Sequence, residues 1–153
     1  MVRKIKGFTF IELVVVIAII AILLAIVVPN YSKWREKYYL EQDVRNLASF
    51  INMARKKAFT EKINLNIDIN GKTACIICNP ADTYCNSQYS GNIKCIDFKN
   101  DIGSYSVSIS TRGTLNNITI FPTKLIDGAF ACLKISTFRV KLGVINGTTC
   151  EIK

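Results

Sequence analysis

Lys6-Gly7-Phe8-Thr9-Phe10-Ile11-Glu12-Leu13 joins a short basic stretch to a long apolar one. Arg3 and Lys4 stand before it, and no acidic residue precedes Glu12. From Leu13 to Val28 there is neither a charge nor a polar side chain. Counted from Phe8 to Val28 the run holds 21 residues. As a helix it would be roughly 31 Å long at 1.5 Å per residue, enough to cross a bilayer core. Basic residues on its N-terminal side place that end in the cytoplasm and the rest of the chain outside. A conventional secretory signal fits poorly, because Pro29-Asn30-Tyr31-Ser32 follows the run with no small-residue cleavage site.

Working outward, the chain reads as a leader (1–7), one long helix (8–62) and a β-rich exported region (63–153). Pro29 divides the helix into a membrane or assembly segment (8–29) and an amphipathic continuation (30–62). Inside a helix a proline removes one hydrogen bond and crowds the preceding turn, so a kink or local melting is expected there. Tyr31, Trp34, Tyr38 and Tyr39 follow, at a level that suits a membrane interface. Leu40, Val44, Leu47, Ile51, Ala54 and Ala58 recur at three- and four-residue steps, which makes one apolar stripe. Arg45, Asn52, Arg55, Lys56 and Glu61 fall off that stripe.

After Lys62 the period changes to two. Ile63, Leu65, Ile67 and Ile69 alternate with Asn64, Asn66, Asp68 and Asn70, as in a half-buried strand. Asn70-Gly71 signals a hairpin into 73–77. A cysteine-bearing loop is expected from 78 to about 91. Further strands are expected near 93–98, 104–110, 117–121, 131–136, 138–145 and 149–152. The predicted fold class is α+β, with the outer helix packed on a small antiparallel sheet.

The six cysteines, Cys75, Cys78, Cys85, Cys95, Cys132 and Cys150, all lie in the exported region. An even count in an oxidising compartment predicts disulfides, and sequence alone does not choose the pairing. Cys75-x-x-Cys78 with Cys85 and Cys95 also admits a four-thiolate zinc site or a redox pair. No histidine is available to complete a metal site, and a thioredoxin-like context is missing, so disulfides are preferred and no metal or cofactor is expected. The same lack of histidine excludes Ser/His and Cys/His nucleophile activation. No phosphate-cradling glycine loop or H-E-x-x-H element is present. The chain is therefore read as a non-enzyme with no catalytic residue.

From Lys4 to Asn30 the sequence resembles the type IV prepilin signal: Gly7 before the cut, Phe8 after it, Glu12 four residues on, a Val/Ile/Ala/Leu run, and Pro29. Phe10 departs from the more usual Leu. The resemblance implies cleavage between Gly7 and Phe8 by a membrane prepilin peptidase, followed by N-methylation of Phe8. It further implies an inner-membrane assembly platform and other pilin or pseudopilin subunits as partners. The localisation implied is a single-pass inner-membrane protein that later joins a periplasmic or extracellular filament. A lone carboxylate within an apolar segment needs a partner, and the new α-amine of Phe8 on a neighbouring subunit supplies one for Glu12. The plainer reading of Glu12 is an acid favoured by the positive end of the helix dipole.

Residues 47–58, with Ala54-Arg55-Lys56-Lys57-Ala58, resemble the helix end of H-type minor pseudopilins and FimT-like minor pilins. Lys134-Ile135-Ser136-Thr137-Phe138-Arg139-Val140-Lys141 resembles their closing Gly-Arg-Val-Arg strand, with Phe138 and Lys141 as departures. The function implied is a structural minor subunit of a type II secretion pseudopilus or a type IV pilus. The alternative implied is a DNA-binding minor pilin for uptake in transformation. In a strand Arg139 and Lys141 leave from one face, and Phe138, Val140 and Leu142 from the other. With Lys134 nearby they form a candidate phosphate contact. Against that stands the ordinary solvated strand face, where lysines discourage aggregation. Net charge is +9, and +6 once Arg3, Lys4 and Lys6 leave with the leader. That charge suits anionic lipid, an acidic subunit or nucleic acid, without separating them.

Overall fold

A computed structural model describes residues 8–152 and, for 26–30, the backbone alone. The chain divides into two compact units, 1–36 and 37–153. One helix, α1 (Phe10–Glu61), contributes to both. It starts at Thr9, whose hydroxyl accepts from the Glu12 backbone N–H at 3.4 Å, and whose carbonyl accepts from that of Leu13. Thr9-x-x-Glu12 thus has the spacing of a capping box. Local melting at Pro29 is not observed, since the helix assignment is continuous there. A proline costs one internal hydrogen bond, and the turns on either side keep theirs.

In the first unit the described apolar side chains from Phe8 to Leu24 are exposed. In the second unit the stripe Leu40, Val44, Leu47, Ile51, Ala54 and Ala58 is buried, together with Phe50. Asp43 is buried on the same part of the helix. Its Oδ2 accepts from the backbone N–H groups of Lys99 and Asn100 and from Asn100 Nδ2. A buried carboxylate needs such donors, and here it ties a distant loop to the helix. The helix ends on Lys62, whose φ of 56° is left-handed. The Ile63 N–H then reaches back to Ala58 O at 3.2 Å, a Schellman closure made without the usual glycine.

Two antiparallel four-stranded sheets follow, where the sequence suggested one. The first has the order β3-β2-β1-β4, built from β1 (Leu65–Asn70), β2 (Thr73–Cys78), β3 (Asn92–Asp97) and β4 (Ser104–Ile109). The second has the order β5-β6-β7-β8, built from β5 (Ile118–Ile120), β6 (Cys132–Ser136), β7 (Arg139–Asn146) and β8 (Thr149–Glu151). Alternation in β1 is as the sequence implied: Leu65, Ile67 and Ile69 face the core, and Asp68 and Asn70 face solvent. Leu133 and Ile135 of β6 and Ile120 of β5 join the same core. The first hairpin turns on Gly71-Lys72, one residue later than the Asn70-Gly71 signal, with Gly71 at φ 61°.

The expected loop after Cys78 contains a short helix, α2 (Thr83–Gln88). Asp82 caps it, accepting from the Cys85 N–H at 2.9 Å, while its other oxygen takes the Asn64 N–H at 2.6 Å. These backbone donors hold the Asp82 carboxyl below the usual carboxylate range.

All six cysteines are in disulfides: Cys75–Cys95, Cys78–Cys85 and Cys132–Cys150. Cys75 and Cys78 sit on one strand and project to opposite faces, so they take different partners. That separation removes the redox-pair and four-thiolate readings. Cys132–Cys150 joins β6 to β8 over β7, where Gly143 lies beneath it. A Cβ on Gly143 would fall 2.6 Å from Cys150 Sγ and 3.0 Å from Cys132 Sγ, which leaves room for glycine alone.

Candidate functional site

Two groups of sequence-predicted residues can be placed. The first is the N-terminal segment. Gly7, and with it the proposed cut, lies outside the described residues, and for Pro29 only the helical backbone is described. Phe8 is 81% exposed and Phe10 82%. Glu12 is exposed in the first helical turn, where the helix dipole favours a carboxylate. Beyond it the apolar side chains point to solvent on every side of the helix, from Leu13 to Leu24. A surface of that kind marks a membrane or protein contact. Among the described residues no helix is long and apolar enough to cross a membrane.

The second group is on β6 and β7. Lys134 and Lys141 are direct partners across the two strands, and Ser136 pairs with Arg139. All three cations are exposed on one face, with Thr119 of β5 beside Lys134. Val140 and Leu142 alternate with them and are half-buried. Phe138 departs from the expectation: it lies in the Thr137-Phe138 turn, 67% exposed, and is not a strand residue packed with Val140 and Leu142. The turn falls there because Ser136 and Arg139 close the ladder on either side of it.

Arg55 acquires a role that its position off the stripe did not reveal. Its Nε donates to Gly113 O at 2.6 Å and its Nη1 to Phe138 O at 2.9 Å. Ala54 and Ala58 on either side are fully buried, so the helix lies close and the planar fork reaches two loops at once. Asn52, Arg55, Lys56, Phe59, Arg112 and Gly113 line an open groove of about 580 Å³ at this point.

The displaced titrations among the described residues belong to structural ties. Lys57 Nζ donates to Glu61 Oε1 at 2.6 Å and to the Tyr89 hydroxyl at 2.9 Å, which raises the lysine. The same lysine holds the Glu61 carboxyl below the usual range. The Thr123 hydroxyl and the Gly103 N–H lower Asp101. Among the described residues no cluster of three or more cysteine or acidic ligands could hold a metal ion.

The N-terminal segment has recognisable relatives. Residues 2–28 match the prokaryotic N-terminal methylation motif. With a helix that continues into antiparallel sheets, the N-terminal segment is similar to that of the type IV pilin class. More particularly, the chain is 42% identical over 57 residues to the type IV major pilin protein PilA of Myxococcus xanthus (strain DK1622). The alignment covers 37% of this chain and 26% of the relative, so the chain spans about a quarter of that protein's length. No solved structure matches it.

Proposed function

We propose that the chain is a structural subunit, at a minor position, of a type IV pilus or a type II secretion pseudopilus. It is made as a precursor, cut between Gly7 and Phe8, and N-methylated on Phe8. Before assembly it waits in the inner membrane, with the run from Phe8 to Val28 as its anchor. The observation that carries this reading is the exposed apolar helix behind the methylation motif. A surface so apolar is stable only in lipid or against other helices, and the methylation motif supports a subunit that passes from one to the other. Glu12 pairs with the α-amine of Phe8 on a neighbouring subunit and sets register, while the apolar side chains supply cohesion. Its place in the first turn also supports the helix start, so the two roles share one residue.

Intact mass and N-terminal sequence of the protein from native membranes, without reductant, test this. The expected chain begins at Phe8, carries one added methyl group and lacks six hydrogens for its three disulfides. A chain still beginning at Met1 in cells with active prepilin peptidase overturns the reading. Glu12→Ala is expected to leave cleavage intact and to lower incorporation into filaments, measured as the ratio of filament-bound to membrane-bound subunit. Unchanged incorporation would remove the pairing role.

A second reading, a DNA-binding subunit for uptake, has the directly opposed Lys134 and Lys141 and the adjacent Arg139 in its favour. It expects salt-dependent DNA retention by the full chain, lost in Arg139→Ala plus Lys141→Ala.

A further inference from the structure

The face of β6 and β7 that bears Lys134, Lys141 and Arg139 is costly as it stands. Lysines directly opposite one another on adjacent strands repel, and among the described residues none of the three cations has an ion-pair partner. Such a face is poised for an anion. The same unit carries a surface of the opposite kind. On β1–β4 the outward residues form rows in register: Asp97, Thr73, Asn70 and Ser104, then Cys95, Cys75, Asp68 and Ser106. Two carboxylates, no base and otherwise small neutral side chains make up these rows. Lys94 is set on the other side of the sheet, opposite buried Ile76, with Nζ against Met53 Sδ. Lys72 lies in the turn at the end of the rows, where it faces Asp101.

Both carboxylates are held by hydroxyls and, among the described residues, by no cation. Ser106 Oγ donates to Asp68 at 2.8 Å, and Thr73 Oγ1 to Asp97 at 3.0 Å. The Cys75–Cys95 disulfide joins edge strand β3 to β2 at directly paired positions beside them. Asp68 and Asp97 stand two strands and one row apart, about 12 Å. Arg139 and Lys134 stand on a diagonal of about 8 Å, with long stems that widen their reach.

We infer that the Lys134/Lys141/Arg139 face of one copy docks on the Asp68/Asp97 face of a second copy. The inference rests on the filament reading and names a contact between its exported units. Because the two faces differ, the contact is head-to-tail and propagates instead of closing into a dimer. The charge complement on the same chain favours a second copy over a nucleic acid as the partner.

The test is zero-length carbodiimide cross-linking of filaments or membranes carrying the full chain, followed by peptide mass analysis of the covalent dimer. Amides joining Lys134 or Lys141 to Asp68 or Asp97 are expected. Arg139→Glu, which keeps both reacting amines, should lower their yield about tenfold, since like charges then meet, whereas Lys134→Glu plus Lys141→Glu removes the amines and abolishes them. Adding Asp68→Lys plus Asp97→Lys to that variant should restore a cross-link of reversed polarity. Retention of the three disulfides by non-reducing mass shows that each variant has folded. Cross-links between the Phe8 α-amine and Glu12 without any of the Lys–Asp amides would overturn the inference and leave the filament reading standing. Absence of both kinds would overturn both. DNA retention lost in Arg139→Glu, with the yield of the Lys–Asp amides unchanged, would assign the cationic face to nucleic acid instead.

Discussion

One helix is packed in two ways along its length. Near Ile20 its apolar side chains are open to solvent, 48% at Ile20 itself, whereas Ile51 is fully buried. Both stretches are helical, although the first is the richer in β-branched residues. What differs is the pattern around them. Between Leu13 and Val28 every position is apolar, so no face is marked for a core. Between Leu40 and Ala58 polar residues interrupt a stripe, and the stripe selects the face that the chain's own sheets cover. The outer half is therefore completed within the chain, and the inner half by whatever surrounds it.

That contrast can be broken most directly by truncation. Ile51→Ala should cost about 2–5 kcal/mol of unfolding free energy, through lost burial and an unfilled cavity. Ile20→Ala should change the same denaturant midpoint of the full chain in detergent by less than about 0.5 kcal/mol. Equal losses would mean that the inner half is also covered by the chain itself. Asp43→Ala sharpens the comparison from the polar side. It leaves the Lys99 and Asn100 N–H groups without their acceptor, and a loss of about 1–3 kcal/mol is expected in the same unfolding measurement.

Lys62→Gly should act in the other direction. It relieves the left-handed residue at the helix end and is expected to raise stability by about 1 kcal/mol. No gain would mean that the Lys62 ammonium, 4.0 Å over the Phe59 ring, compensates the strain.

The smallest effect belongs to Lys57 and Glu61, a half-exposed pair one helical turn apart. It should contribute about 0.3–0.5 kcal/mol, as surface helix pairs do. Glu61 titrates lower in the folded chain, so its share is present above the ordinary carboxylate range and lost as pH falls through the folded value. Lys57 titrates higher, so its share persists through neutral pH and is lost as pH rises through its folded value. Glu61→Gln should flatten the acid limb of a stability–pH profile, and an unchanged limb would show that the pair is inert.

The α+β class was legible because two periods meet at Lys62: the three-and-four spacing of Leu40 to Ala58, then the alternation of Ile63 to Ile69. The N-terminal segment was legible because Gly7, Phe8 and Glu12 beside a basic leader form a local pattern. Asp43 was less legible, although its place one turn after Leu40 sets it on the apolar face. An acid at a core position is the signal that could have found it. Arg55 could not be read the same way, since its acceptors are carbonyls 58 and 83 residues away. The opposition of Lys134 and Lys141 depends on where the hairpin turns, and Thr137-Phe138 carries no strong turn signal.

By itself the sequence determined the helix, its apolar and amphipathic halves, the strand alternation and the likeness to the prepilin signal. Each of these is written in residues a few places apart. Only the tertiary structure decided that there are two sheets, which cysteines pair, why Gly143 must lack a side chain, and which charges share a face. Those follow from register and packing, which bring residues together across separations that no local pattern records.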